Sequence, residues 1–221
     1  PSRLPAALGM LLEIGGLARP SGGSTISQYN DVLEQAGVEM CDDRLAITTT
    51  AEEDARFEQR LASSGSRGGE LIVLLYARNT AARRGWTIAE FADVGSRLVN
   101  NFNARIIVAD EPSDDAFTRA LSAWLKPGAI KLTEPRVFEL FAAIARASIV
   151  ITDEPAVARI ASELGTPSIE IAETFSEPTE SSTNHRIVQG SSRKHVSPDE
   201  VFDIASEMIQ ENRSASLFQR S

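Results

Sequence analysis

The chain has 221 residues, 42% of them hydrophobic and 24% charged, enough for one large domain or one domain with a smaller appendage. A net charge of -9 without a long basic run argues against nucleic acid or an anionic membrane surface as a general partner. The single cysteine, Cys41, excludes an internal disulfide and a cysteine-based zinc site, and two histidines leave little for a histidine metal cluster. No apolar run approaches the ~20 residues needed to span a bilayer.

Residues 1–24 join an apolar run, Leu4 to Leu17, to the breaker cluster Arg19-Pro20-Ser21-Gly22-Gly23-Ser24, which reads as a linker. The chain opens on Pro1 inside an apolar stretch and not on Met, as a fragment or a processed chain would. Ser27 to Gly37 has a helical pattern with a glycine stop, and Arg44 to Thr48 is an extended candidate. Thr50-x-x-Glu53 is a capping-box pattern that opens a helix to about Leu61, and Ser63 to Gly69 is a second loop.

From Leu71 onward strand and helix alternate. Leu71 to Tyr76, Ala104 to Asp110 and Ala129 to Thr133 read as strands. Helices are expected from Thr87 (Ile88, Phe91, Val94, Leu98), from Ser113 (Phe117, Leu121, Leu125) and over Pro135 to Arg146. The stretch from Ala147 to Pro178 organises the rest: strand, tight turn, helix, turn, strand. Its first strand, Ala147 to Thr152, is apolar and β-branched, as a buried parallel strand is. Pro155 fits a first helical turn, where its missing N–H costs nothing, and Gly165-Thr166-Pro167 stops that helix. Ser181 to Lys194 reads as a polar loop, and a closing helix runs from Ser197 to near Glu211, leaving a loose tail over 212–221. The alternation predicts an α/β, Rossmann-like parallel sheet with helices on both faces, occupying residues 25–211.

Three loops leave the carboxyl ends of strands, the edge where α/β folds place ligands. The first, Ala77 to Gly85, offers Asn79, Thr80, Arg78, Arg83 and Arg84, and a guanidinium fork suits phosphate oxygens. It lacks both glycine-rich phosphate-loop patterns, and a solvated loop with surface arginines would look the same. The second, Asp110 to Asp115, supplies carboxylates able to accept ribose hydroxyls, or simply to cap the next helix. The third places Asp153 and Glu154 at a helix start with Arg159 one turn on. A phosphate is the natural guest of that helix end, yet carboxylates there commonly only complement the dipole, and an ordinary βαβ unit without ligand fits the pattern too. No nucleophile–His–acid arrangement is apparent. His185 and His195 both lie in a polar segment and read as surface residues.

These residues resemble glycosyltransferase family 9, the lipopolysaccharide heptosyltransferases, in their carboxyl-terminal half. The resemblance rests on Thr80-x-x-x-Arg84-x-Trp86, the segment from Glu134 to Glu154, the Ala161-Ser162-Glu163-Leu164-Gly165-Thr166-Pro167 turn and the closing helix from Ser197 to Ile209. It implies one half of a GT-B fold that holds a nucleotide-sugar donor, with an ADP-sugar favoured. Thr80, Asn79 and Arg84 then match the family's phosphate contacts, Trp86 its tryptophan, and Asp114 its ribose-binding acid. Glu154, Pro155, Ala156 and Arg159 stand where the family's donor-binding signature has Asp, Ser or Thr, Gly and His, so the resemblance implies donor or phosphate contacts for Glu154, Ala156 and Arg159 as well. The catalytic base belongs to the family's amino-terminal domain, and residues 1–24 read as that domain's end or the crossover from it. The resemblance implies transfer without a metal cofactor, a glycan or glycolipid acceptor bound by the other domain, and a cytoplasmic protein at the inner face of the membrane. A fold kept as a non-catalytic binding module is the alternative.

Overall fold

A computed structural model of the chain describes residues 40–41, 44–45, 48–66, 68–77, 86–110, 115–125, 129–132, 137–172, 184–190 and 195–218. The expected helix at Ser27 to Gly37, the linker within 1–24 and the 78–85, 111–114 and 191–194 segments lie outside them.

A short antiparallel pair comes first, β1 (Met40–Cys41) with β2 (Arg44–Leu45). Helix α1 (Ala51–Ser63) follows, started as expected: the Thr50 hydroxyl accepts the Glu53 N–H at 3.2 Å. Then come β3 (Ile72–Ala77), α2 (Ile88–Phe102), β4 (Arg105–Asp110), α3 (Asp115–Trp124), β5 (Ile130–Leu132) and α4 (Val137–Arg146). The chain closes with β6 (Ile149–Thr152), α5 (Pro155–Glu163), β7 (Ser168–Ala172), β8 (His185–Gln189) and α6 (Pro198–Phe218).

Among the described residues, six strands form one sheet in the order β5-β4-β3-β6-β7-β8, and every adjacent pair is parallel. The α/β, Rossmann-like fold expected from the alternation is therefore the observed one. Strands buried on both faces need apolar side chains throughout, and Ile72 to Ala77 are all buried. Alternate residues feed two cores. Val73, Leu75, Val108 and Ile151 pack with α2, α3 and α6, while Leu74, Tyr76, Ile107 and Val150 pack with α1, α4 and α5. Helix α2 approaches β3 and α3 closely because position 95 is glycine. A Cβ there would meet Leu125 Cδ2 at 2.9 Å and Leu75 Cδ1 at 3.1 Å. α1 is fastened to α4 by Phe57 and Leu61 in the second core and by the Arg60–Glu139 and Arg146–Glu58 ion pairs.

Two sequence expectations are corrected. The run from Ser181 to Lys194 is not wholly loop: His185 to Gln189 form β8, paired residue for residue with β7 from Ser168↔His185 to Ala172↔Gln189. The last helix does not end near Glu211 but continues to Phe218, so 212–218 are helical. Arg213 lies over the Phe102 ring at 5.8 Å, a contact with α2 that supports the added turn.

Candidate functional site

Strand order locates the site. From β3 the chain steps outward through β4 to β5, then crosses back to β6 on the other side of β3 and proceeds to β7 and β8. The order reverses between β3 and β6, which are neighbours with Tyr76 opposite Thr152. On leaving the carboxyl ends of these strands the chain turns to opposite faces. α2 contributes to one core and α5 to the other, so a crevice opens where they part. β4 ends in register with β3, Ala77 opposite Asp110, so the segments 78–85 and 111–114 leave the sheet from adjoining strand ends. Asn79, Thr80 and Arg84 fall in the first of these and Asp114 in the second, all outside the described residues.

The third loop is described. Thr152 is fully buried, and its hydroxyl accepts the Glu154 N–H at 2.9 Å. Glu154 is 3% exposed and extended in backbone, and it is the N-cap of α5: one carboxylate oxygen accepts the Ala156 N–H at 3.3 Å. The Val157 and Ala158 N–H groups donate to the Glu154 carbonyl at 3.1 and 3.2 Å. Pro155 has no N–H. The donors that a helix start normally presents to an anion are thus engaged by Glu154, whose carboxylate sits where a phosphate would be expected. Arg159 is exposed, and Ala156 is buried. Glu154 and Ala156 meet directly at the crevice, and Arg159 lies one turn further along α5.

Trp86 directly follows the 78–85 segment. It is fully buried, its indole N–H donates to the Val196 carbonyl at 3.0 Å, and Phe91 meets its ring edge-on at 5.3 Å. A buried indole needs an acceptor as well as apolar walls, and this position supplies both. Its evident role is to anchor the start of α2 in the core.

The two histidines differ from the surface reading in one case. His195 is exposed, and its Nε2 contacts Glu90 Oε1 at the start of α2. His185 is 3% exposed, with Nδ1 2.9 Å from Ser168 Oγ and Nε2 3.4 Å from Glu170 Oε2. Ser168 and Glu170 are also buried. The grouping contains a serine, a histidine and a carboxylate, yet Ser168 is fully enclosed at the amino end of β7, opposite to the crevice edge, and cannot reach an external substrate. It ties β8 to β7. The sequence signal for it was the Ile187-Val188 pair before Gly190, which marks a short strand.

Among the described residues no group of His, Cys, Asp and Glu is arranged to hold a metal ion. A groove of about 290 Å³ lies between α1 and α4, lined by Thr49, Phe57, Glu58 and Arg146 among others, and includes no residue of the crevice.

No family model matches the sequence, and no curated protein matches it. Solved structures share the fold. A family 9 glycosyltransferase from Veillonella parvula DSM 2008 superposes with a TM-score of 0.66 at 15% identity, covering 88% of this chain and 63% of that one. ADP-heptose lipopolysaccharide heptosyltransferase II of E. coli gives 0.61 at 13% identity, over 76% of this chain and 54% of that one. A UDP-GlcNAc 2-epimerase from Neisseria meningitidis, solved with UDP-GlcNAc, gives 0.54 at 13% identity, over 83% and 51%. The chain spans between half and two thirds of the length of these structures. The resemblance to family 9 holds at the level of fold: this is an α/β unit of the kind found in GT-B glycosyltransferases.

Proposed function

We propose that this chain is the nucleotide-sugar-binding half of a glycosyltransferase, with the nucleoside diphosphate received in the crevice between β3 and β6. The observation that carries the reading is the reversal of strand order there, in a fold shared with heptosyltransferases and with an epimerase solved with UDP-GlcNAc. Asn79, Thr80 and Arg84 contact the donor phosphates from the segment after β3, and Asp114 the ribose from the segment after β4. An ADP-sugar is the favoured donor. Arg84, supplemented by Arg159, stabilises the charge that develops on the departing diphosphate as the glycosidic bond breaks, so arginine and not a metal ion balances it. The acceptor, a glycan or glycolipid of cell-surface polysaccharide or lipopolysaccharide assembly, and the base that deprotonates it belong to an amino-terminal domain of the whole protein. That assembly places the protein on the cytoplasmic side of a membrane as a peripheral component. No helix among the described residues is long and apolar enough to cross one.

The α5 start favours a second reading, a binding module that has lost donor chemistry. Glu154 and Pro155 leave the helix end without donors for a phosphate. Calorimetric titration with ADP, UDP and GDP separates the two. Saturable binding of one nucleotide, weakened about tenfold or more in Arg84→Ala, is the outcome expected of a donor site. A folded chain that binds none of them, both alone and within the full-length protein, sustains the second reading.

A further inference from the structure

The chain entering α6 is fastened to the start of α2 by several side chains, and Glu90 is their hub. One of its oxygens accepts the Thr87 N–H at 2.7 Å and the Thr87 hydroxyl at 2.8 Å, completing the capping box of α2. The other meets His195 Nε2. One residue beyond His195, the Val196 carbonyl takes the Trp86 indole N–H at 3.0 Å. Further along the same seam Arg97 donates to Asp199 at 2.7 Å and lies 4.0 Å over the Phe202 ring. The charged groups in contact along the seam among the described residues include Glu90, Asp93 and Arg97 on α2, and His195 and Asp199 on the approach to α6 and in it. Arg97 reaches both Asp93, at 3.5 Å, and Asp199. Histidine is the side chain whose ordinary titration falls between about pH 5 and 8, and His195 is the histidine of this set.

We propose that His195 and Glu90 form a proton-operated clasp: protonated His195 holds the α6 approach against the start of α2 and thereby fixes Trp86 at the sheet's carboxyl edge, and the neutral ring holds it less firmly. The clasp stands apart from the nucleotide reading and does not rest on it. Glu90 is prepared for the charged partner. Burial pushes its carboxyl up, but the Thr87 N–H, His195 and the Thr87 hydroxyl together outweigh that and hold it below the usual value. Because one carboxylate serves both the helix cap and the histidine, a change of charge on His195 is felt at the first turn of α2.

The test is a double-mutant cycle of His195→Gln and Glu90→Gln, followed by urea unfolding at about pH 5.5 and about pH 8.5. The expected coupling is about threefold in the folding equilibrium constant at the lower pH and smaller at the higher. Both substitutions are small and polar, and His195 is exposed, so the variants are expected to fold. Equal coupling at both pH values, or none at the lower, overturns the proposal. A second readout follows the Trp86 indole N–H resonance. It should shift with the His195 imidazole titration in the unaltered chain and lose that midpoint in His195→Gln. An indole signal blind to the titration overturns the link from His195 to Trp86.

Discussion

Two histidine–glutamate contacts occur among the described residues, and their surroundings make them different devices. His185 and Glu170 lie inside the sheet, with side chains 4% and 5% exposed, and join strand β8 to β7. His195 and Glu90 lie at the surface, with side chains 50% and 18% exposed, and join the α6 approach to α2. In the buried pair both groups have surrendered their hydration, and His185 is compensated by Ser168 on one nitrogen and by Glu170 on the other. In the surface pair water screens the attraction, and the contact matters through what it positions. The same two residue types therefore act as a structural fastener in one place and as an adjustable contact in the other.

The largest effect should come from breaking the buried pair. His185→Ala leaves the buried Ser168 hydroxyl and Glu170 carboxyl without their imidazole neighbour, and chemical denaturation should show a loss of about 2–3 kcal/mol. The double variant His185→Leu, Glu170→Leu should recover part of that loss, because an apolar pair restores packing and removes the buried carboxyl that would lack its neighbour. If the single and double variants were equally destabilised, the contact would be serving by shape and not by polar pairing.

An intermediate effect belongs to Trp86→Phe. It keeps most of the ring's apolar contact but leaves the Val196 carbonyl without its donor, and should cost about 1–2 kcal/mol in the same measurement. The smallest effect belongs to Glu90→Gln, no more than about 1 kcal/mol because the pair is screened. Its pH dependence is more telling than its size. The Glu90 carboxyl is held below its ordinary value of 4.5, so its contribution is fully present above that value and is lost as pH falls through the lowered one. The stability difference between the unaltered chain and Glu90→Gln should accordingly narrow on acidification below about pH 4.5. A gap that stayed constant into acid would mean that the carboxylate's charge has no part in the cap.

The same contrast explains what could be read from residues alone. Local signals that carry their own physical cause were legible. Thr50 and Thr87 cap their helices through hydroxyls aimed at backbone N–H groups a turn away. Gly165 turns the chain after α5 with φ of +72°, a conformation that favours glycine. β3, β4 and β6 announce themselves as β-branched and apolar because both faces are covered. β8 was only faintly legible, through Ile187-Val188, since a strand containing His185, Arg186 and Gln189 looks polar until Glu170 and Ser168 on its neighbour supply partners. The burial of Glu154 was hidden for a similar reason. A carboxylate beside proline suggests an exposed helix start, and only the packing of α5 over Thr152 encloses it.

The sequence by itself determined the succession of strands and helices from β3 to β7 and the helix that closes the chain, the caps at Thr50 and Thr87 and the glycine that ends one helix. Each of these is settled within a few residues by hydrogen-bonding groups and side-chain periodicity. Tertiary structure decided the order of strands in the sheet, and with it the crevice between β3 and β6. It also decided which of two histidines is buried and which stays at the surface. Those outcomes depend on residues far apart in the chain: β3 lies beside β6 because long-range apolar burial on both faces outweighs the entropy of closing the intervening chain, a balance that no local pattern records.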